Sequence, residues 1–427
     1  MKGDSVSYRT RSSFTALLVV TALTATACGG DGGSGDGPVE LRVAWWGNDS
    51  RHELTEEVIA LFEDRNPDIR IEPEYTDFTP YYDRLTTQVA SREAPDVFAI
   101  EIRRLGEFAD NDILADLSDS VDTTELDPDV LASGVVDDLQ VGIPTGANTF
   151  ALMANTAVFA EAGVDLPDDT TWTWDDYLDI STRVSEATGR EAFGSQPSFN
   201  DAFLKIYAEQ RGEQMYTEDG IGASAGTLTD WFQLQLDHIE AGASPDAALS
   251  AELGSSVENA LVATNDGALG MWWSNQLSTI SISSGETVEL LRLPRFADAE
   301  ASGMFLQPSM FWSSFSGSQH PEEAARFIDF MVNDPDAGAI QGSDRGLPVN
   351  GAVLESIQDG LPEADVASLT FFNEIAEELS AAPTAPPLGA GDIPDMLERY
   401  GHEVIFGNMS PGEAAESFLE EAEGALS

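Results

Sequence analysis

The residue types that carry out enzymatic chemistry are present in this chain but not in the arrangements that chemistry needs. Gly222-Ala223-Ser224-Ala225-Gly226 has the form of a nucleophile elbow around Ser224. That device requires a buried strand immediately before the serine, and the preceding MYTEDGI reads as a loop. His52, His238, His320 and His402 are scattered and lack a metal-binding spacing such as H-x-x-x-H. No phosphate-binding loop ends in Gly-Lys. GDGGSG near the N-terminus matches the dinucleotide-binding glycine pattern only in form, because those glycines must follow a strand and open a helix. Paired carboxylates for glycoside hydrolysis carry no information, since 76 acidic residues put many pairs within the ~5–10 Å that such catalysis uses by chance. No catalytic residue, metal or cofactor is expected.

What does recur is an aromatic pair followed by short polar side chains. Trp45-Trp46-Gly47-Asn48-Asp49, Trp272-Trp273-Ser274-Asn275 and Phe311-Trp312-Ser313-Ser314 share this pattern. A flat aromatic face packs against the C–H face of a sugar ring, while Asp, Asn and Arg take the ring hydroxyls. Apolar cofactors would not need the carboxylates, and amino acids would call for a cationic clamp. In LRVAWW, a strand turns Leu41, Val43 and Trp45 one way and Arg42, Ala44 and Trp46 the other. One tryptophan can be core. The second, beside Gly47 and a string of hydrogen-bonding groups, has no evident core to join.

The elements that must position these residues begin as strand–helix alternation. LRVAWW is followed by SRHELTEEVIALFEDRNPD, where Ser50 and Glu53 suit a capping box and Leu54, Val58, Leu61 and Phe62 share a face. IRIEPEY, PDVFAI and the helices after them continue the alternation, which implies a parallel sheet covered on both faces. Ligands of such sheets sit beyond the carboxyl ends of the strands, here Trp46 to Asp49 and Glu101. After VGIPTGANTFALMAN the chain becomes mostly helical. It returns to strands at GALGMWW, VELLRLPRF and MFLQPSMFWSS, then enters a helix opened by Pro321 with Phe327, Ile328 and Met331 inward. The tail ends in a helix capped by Ser410 and Glu413. Trp172 and Trp174 open a helix and read as core.

The ends and the charge narrow the class further. Lys2, Arg9 and Arg11, the apolar FTALLVVTAL and the small residues before Cys28 make residues 1–27 a secretory signal, too short for a membrane span. Cys28 is the only cysteine, so no disulfide framework or thiolate metal cluster is expected. A lone Cys at this junction resembles the lipobox of a bacterial lipoprotein, with Ala25 in place of the usual Leu; an ordinary secreted protein with a stray Cys is the alternative. Residues 28–38 form a Gly-rich tether with nothing to bury. The chain beyond it is too long for one core and suggests two lobes. Its formal charge of −56 becomes −58 once Lys2, Arg9, Arg11 and Asp4 leave with the signal, and Lys205 is then the only lysine. Such a field repels nucleic acid and anionic surfaces. It fits a surface adapted to high salt; codon bias would explain the lysine loss but not the acidic surplus.

Several stretches together resemble one family. LRVAWWG, ALFEDRNPDIRIE, APDVFAIE, GIPTGANTFALMANTAVFAEAGVDLPDDTTWTWDDY, GALGMWWSNQ and HPEEAARFIDFMVNDPDAG…DRGLPVN are similar, in order and spacing, to the extracellular solute-binding lipoproteins of carbohydrate ABC importers, the maltose-binding-protein-like group. The resemblance covers essentially the whole mature chain. It implies a two-lobed α/β periplasmic-binding-protein-like (type II) fold with a ligand cleft, the chain crossing near Gly146–Phe150, Val288 and Phe315–Gly317. Lobe 1 would comprise 39–147 and 288–315, and lobe 2 148–287 and 316–427. The implied ligand residues are Trp46, Asn48, Asp49, Glu101, Asn148, Trp272, Trp273, Phe311, Trp312 and Arg345, the last alternatively a loop arginine bonding backbone carbonyls. The implied role is a non-enzymatic, monomeric receptor, lipid-anchored at the outer face of the bacterial cytoplasmic membrane. It would capture a sugar and deliver it to permease subunits driven by a separate ATPase. A polyamine or quaternary-ammonium binder, or a secreted glycoside-active enzyme, is the alternative.

Overall fold

Two sheets organise the chain, and each gathers its own core. The computed structural model describes residues 37–426 apart from 190, 218, 219 and 255. The signal segment, Cys28 and nearly all of the tether lie outside the described residues. In the first sheet the order is Ile69–Thr76, Val39–Trp46, Val97–Ile100, Phe311–Ser314, Ile143–Pro144. The first three strands are parallel, and Phe311–Ser314 runs antiparallel to both of its neighbours. Helices Asp49–Arg65, Phe78–Ser91 and Ile102–Asp110 follow the parallel strands, as the sequence alternation requires.

The first of these helices starts earlier than its Ser50/Glu53 pair suggests. Asn48 keeps an extended backbone (φ −86°, ψ 175°) and its side chain accepts the Arg51 N–H at 3.0 Å, so Asn48 is the N-cap and Ser50 lies inside the helix. A short polar side chain ahead of the helix satisfies an orphan N–H as well as a capping box does. The C-terminal helix Pro411–Ala425 carries the Ser410–Glu413 box in full.

The second sheet is built on one long strand, Gly146–Asn155, buried along its whole length. Val288–Leu291 and Gly267–Trp273 flank its second half, with Phe193–Ser195 beyond. Its first half pairs instead with Leu306–Pro308 and Leu347–Pro348. These three short stretches are the hinge. Gly346 there has φ +83°, and a Cβ on it would meet the Ala147 carbonyl oxygen at 2.8 Å and Asn148 Oδ1 at 2.9 Å, so glycine alone lets the strands approach.

The lobes divide the chain differently from the expected boundaries. Val288 and Leu291 pair with Asn155 and Leu152 in the second sheet, and Phe305 belongs to the second core. The helix Pro321–Asn333 packs Phe327, Ile328 and Met331 into the first core, where Phe327 meets Phe62 edge-on at 5.2 Å. The later crossings therefore fall at Leu306–Met310 and Leu347–Asn350, not near Val288 and Phe315–Gly317. The physical reason is that the helix's apolar stripe completes the first core beside the helix Asp49–Arg65. Beyond the hinge, Phe371 and Ile375 pack with Ala151 and Met304, and Ile393 and Phe418 join the second core.

Candidate functional site: the interlobe cleft

The Trp45–Trp46 pair divides its labour as strand geometry demands. Trp45 is fully buried and its Nε1–H donates to His52 Nδ1 at 3.1 Å. Trp46 points to the other face, where it is also buried (8% exposed) within the first core, and its edge lines a cavity of about 240 Å³ between the lobes. Phe78, Tyr81 and Tyr82 brace its ring, at centroid distances of 5.5, 5.3 and 5.6 Å.

Trp273 lines the same cavity from the second lobe, its ring edge-on to Phe150 at 5.2 Å and to Phe305 at 6.2 Å. Its backbone N–H donates to Gln276 Oε1 at 2.9 Å, which folds the turn that brings Asn275 and Gln276 to the cavity. From the hinge come Asn148 and Gln307. Strand alternation aims their neighbours Ala147 and Leu306, with Leu347, at the opposite face of the hinge, where a larger cavity of about 730 Å³ opens. That cavity has no aromatic pair facing across it, and its walls mix leucines, Val130, Val349 and Phe372 with Glu125, Asp127, Asp129 and Asn373.

Charge is concentrated at one corner of the smaller cavity. Glu101 ends the strand Val97–Ile100, and its backbone N–H donates to Tyr82 Oη at 2.9 Å. Arg103 Nη1 donates to Glu101 Oε2 at 3.1 Å, while Arg103 Nη2 reaches both Asp201 carboxylate oxygens, at 3.0 and 3.2 Å. Arg103 sits on the first lobe and Asp201 on the second, so this fork joins the lobes. The Asp201 charge outweighs burial and raises the Arg103 pKa, as Glu101 does to a lesser extent. Arg51, also on the wall, is held by Asp344 through Nε at 2.7 Å and through Nη2 to its carbonyl at 2.8 Å.

The structure thus brings Trp46, Glu101, Asn148 and Trp273 together and leaves the other expected residues outside. Asn48 is exposed and caps its helix, and Asp49 is exposed in the first helical turn. Trp272 faces away from Trp273, packed with the cluster around Val262 and Met153. Phe311 and Trp312 are wholly buried, because their strand lies inside the first sheet with a neighbour on each side. Arg345 is 3% exposed and donates through Nη2 to Thr55 Oγ1 at 2.7 Å, its guanidinium 5.6 Å over the Trp312 ring. Burial, then the nearby Arg51, pull its pKa down to about 9, which leaves it charged at neutral pH. It is neither a cleft residue nor a carbonyl-binding loop arginine. Ser224 caps the helix Ala225–Glu240, accepting the Thr227 N–H at 3.2 Å and donating to Glu213. Sequence reasoning missed Arg51, Arg103, Gln276 and Gln307. The two arginines follow strand-end residues already singled out, and that adjacency was the available signal.

Two α/β lobes on shared hinge strands, with polar and aromatic side chains facing a cavity between them, define a solute-binding architecture. The chain belongs to the bacterial extracellular solute-binding protein family, whose sequence profile matches residues 48–337. It is 28% identical over 194 residues to an arabinooligosaccharide-binding protein of Halalkalibacterium halodurans, a match spanning 43% of this chain and 42% of that relative. Among solved structures it is similar to a periplasmic solute-binding protein from Pectobacterium atrosepticum (TM-score 0.82, 23% identity, 91% of this chain and 98% of that one). It is also similar to a periplasmic oligogalacturonide-binding protein from Yersinia enterocolitica in complex with saturated digalacturonic acid (TM-score 0.79, 22% identity, 91% and 98% coverage).

Proposed function

We propose that this protein is the monomeric ligand-capturing receptor of an ABC-type sugar importer, which binds a sugar or oligosaccharide in the interlobe cleft, closes on it and presents it to the membrane permease. The observation that carries this reading is the placement of Trp46 and Trp273 on opposite lobes of one cavity that also holds Glu101, Asn148 and Gln307. Rings of that kind cover the C–H faces of a pyranose or furanose while the amides and carboxylate take its hydroxyls. The partial relative named for arabino-oligosaccharides points the same way. Closure would be a hinge motion biased by a ligand that touches both lobes. No chemistry on the sugar is proposed. A polyamine or quaternary ammonium would also find aromatic faces and the Glu101 carboxylate here, but the amides of Asn148, Gln276 and Gln307 suit hydroxyls and favour the sugar.

The test is paired. Trp46→Ala and Trp273→Ala should each weaken sugar binding about 5- to 150-fold, the equivalent of roughly 1–3 kcal/mol of lost aromatic stacking. Calorimetric titration against a panel of sugars reads this directly, and quenching or enhancement of intrinsic fluorescence on binding should be diminished in both variants. Turnover of a glycan by the purified protein would instead favour an enzyme.

We propose further that Cys28 carries lipid and tethers the receptor to the outer face of the membrane. Acyl chains supply affinity at ~0.8 kcal/mol per buried methylene, so Cys28→Ser should move the protein into the culture medium. Unchanged membrane fractionation of that variant would refute the anchor.

A further inference from the structure

Away from the hinge, the helix Ile102–Asp110 of the first lobe meets the second lobe on the face that carries Arg103 and Gly106, three residues apart. Arg103 donates from Nε to Asp201 Oδ2 at 3.3 Å, and from Nη2 to Oδ1 and Oδ2 at 3.2 and 3.0 Å. Of the ion pairs among the described residues, this is the only one that joins the lobes. At Gly106 the contact is with residues 381–389. Both ends of that segment belong to the second lobe: the Ser380 N–H donates to the carbonyl of Met304, which packs with Ala151, at 2.7 Å, and Ile393 lies in the second core. Its middle crosses over. Ala385 packs against the first core, and a Cβ on Gly106 would lie 3.3 Å from the Pro386 carbonyl oxygen. Pro383, Pro386 and Pro387 stiffen the crossing segment.

The chemistry of this contact favours closure. Arg103 stands in the first turn of its helix, where an unpaired cation faces the positive end of the helix dipole. Asp201 opens the helix Asp201–Glu209, the end at which a carboxylate is stabilised. Forks between a guanidinium and both oxygens of a carboxylate belong to the stronger class of charge-assisted bonds. The attraction of Asp201 also exceeds the desolvation of the guanidinium, which is why the Arg103 pKa is raised despite burial. If the lobes part, Arg103 keeps Glu101 on its own lobe, at 3.1 Å, and loses Asp201. The long-range field acts the other way, because a net charge of −56 makes acidic lobes repel as they approach. A local contact of opposite charges offsets that repulsion at the point where the lobes meet.

We infer that this face is a clasp: the Arg103–Asp201 latch, with the 381–389 strap on Gly106, keeps the closed form predominant in the free receptor, before any ligand arrives. Asp201 is not on the wall of the tryptophan-lined cavity and is a positioning residue. It acts by raising the closed population, and apparent affinity scales with the fraction of protein that is competent to bind. Ligand enters during openings of the clasp and then stabilises a form already populated. The inference concerns the free protein, so it stands or falls independently of which solute the cleft takes.

The experiment is small-angle X-ray scattering of the sugar-free mature chain in about 1 M salt, where exposed charges are screened and buried pairs much less so. The wild-type profile should match the closed structure. Asp201→Asn removes the charge and should enlarge the radius of gyration, while Asp201→Glu keeps the charge and should stay nearer the wild type. Gly106→Leu suits a helix but drives a side chain against Pro386, and should enlarge the radius by a route that touches no charge. Circular dichroism melts establish that each variant is folded. An expanded wild type overturns the inference, as does an Asp201→Asn protein as compact as the wild type. Should Asp201→Asn not fold, Arg103→Gln takes its place with the same expectation and the same refutation. A compact Gly106→Leu protein removes the strap from the clasp. Failure of every sugar to bind would refute the carbohydrate reading and leave the clasp standing.

Discussion

Trp312→Ala is expected to destabilise the protein by about 3–5 kcal/mol, the usual cost of truncating a buried tryptophan, and to leave sugar affinity in the folded fraction unchanged. Trp312 is wholly buried within the first sheet, near Phe327 at 6.2 Å and beneath the Arg345 guanidinium. Its removal opens a cavity and strips the cover from a buried charge, and both effects act in the same direction. Denaturant unfolding of wild type, Trp312→Ala and Trp46→Ala on one plot separates the roles. The Trp312 variant should lose midpoint concentration and keep affinity, and the Trp46 variant, whose ring is 8% exposed and joins both the first core and the cleft, should lose both. A Trp312→Ala protein of unchanged stability and weakened sugar binding would return this residue to the cleft.

The second large effect is a loss of stability in acid that passes through one histidine. His238 is buried, its ring 4.6 Å from that of Tyr177. Nδ1 lies 2.8 Å from the Leu234 carbonyl; a carbonyl only accepts, so Nδ1 carries the proton and Nε2 is left bare, with no partner among the described residues. Burial lowers the pKa from 6.5 to about 4, against smaller upward pulls from Leu234 and Asp237. Between those values the unfolded chain binds a proton that the native one refuses. Stability from this residue is therefore complete above pH 6.5 and declines as pH falls toward 4, by about 3 kcal/mol in all. His238→Gln should show a shallower acid slope by that amount, measured by denaturant unfolding at intervals from pH 7 to 4 in 1 M salt to screen the acidic surface. Parallel curves for the two proteins would show that His238 is not the titrating group.

The sequence pattern located the cleft wherever a parallel strand ends in it. Trp46 and Glu101 stand at such ends, and both line the cavity. Phe311-Trp312-Ser313-Ser314 carries the same aromatic–polar pattern and fails because its strand runs the other way. Phe311 pairs with Ile100 and Ser314 with Val97, so its serines point toward the opposite rim. There Ser313 Oγ donates to the Val141 carbonyl and Ser314 Oγ to that of Asp96. The residues before the strand, Ser309 and Met310, reach the cleft instead. Strand direction is a property of the long-range fold and leaves no local mark. The same holds for the helix Pro321–Asn333: its inward face was readable, but which lobe it covers depends on where the hinge returns the chain. Gln276 and Gln307 are placed by a turn and a hinge pairing, and nothing in their neighbours distinguishes them from surface glutamines.

The solitary lysine has a practical side. Beyond Lys2 the chain contains one side-chain amine, Lys205, and that amine is folded against Glu209 and Phe305 with its side chain 14% exposed. Burial also lowers its pKa, so the neutral, nucleophilic form is more available than in an ordinary lysine once a reagent arrives. Apart from the chain's α-amine, an amine-directed label would therefore mark one side chain per molecule, at a rate set by how often the cavity beside Lys205 admits the reagent. Labelling time courses read at the Lys205 peptide become a clock for the opening of that cavity, without any engineered probe.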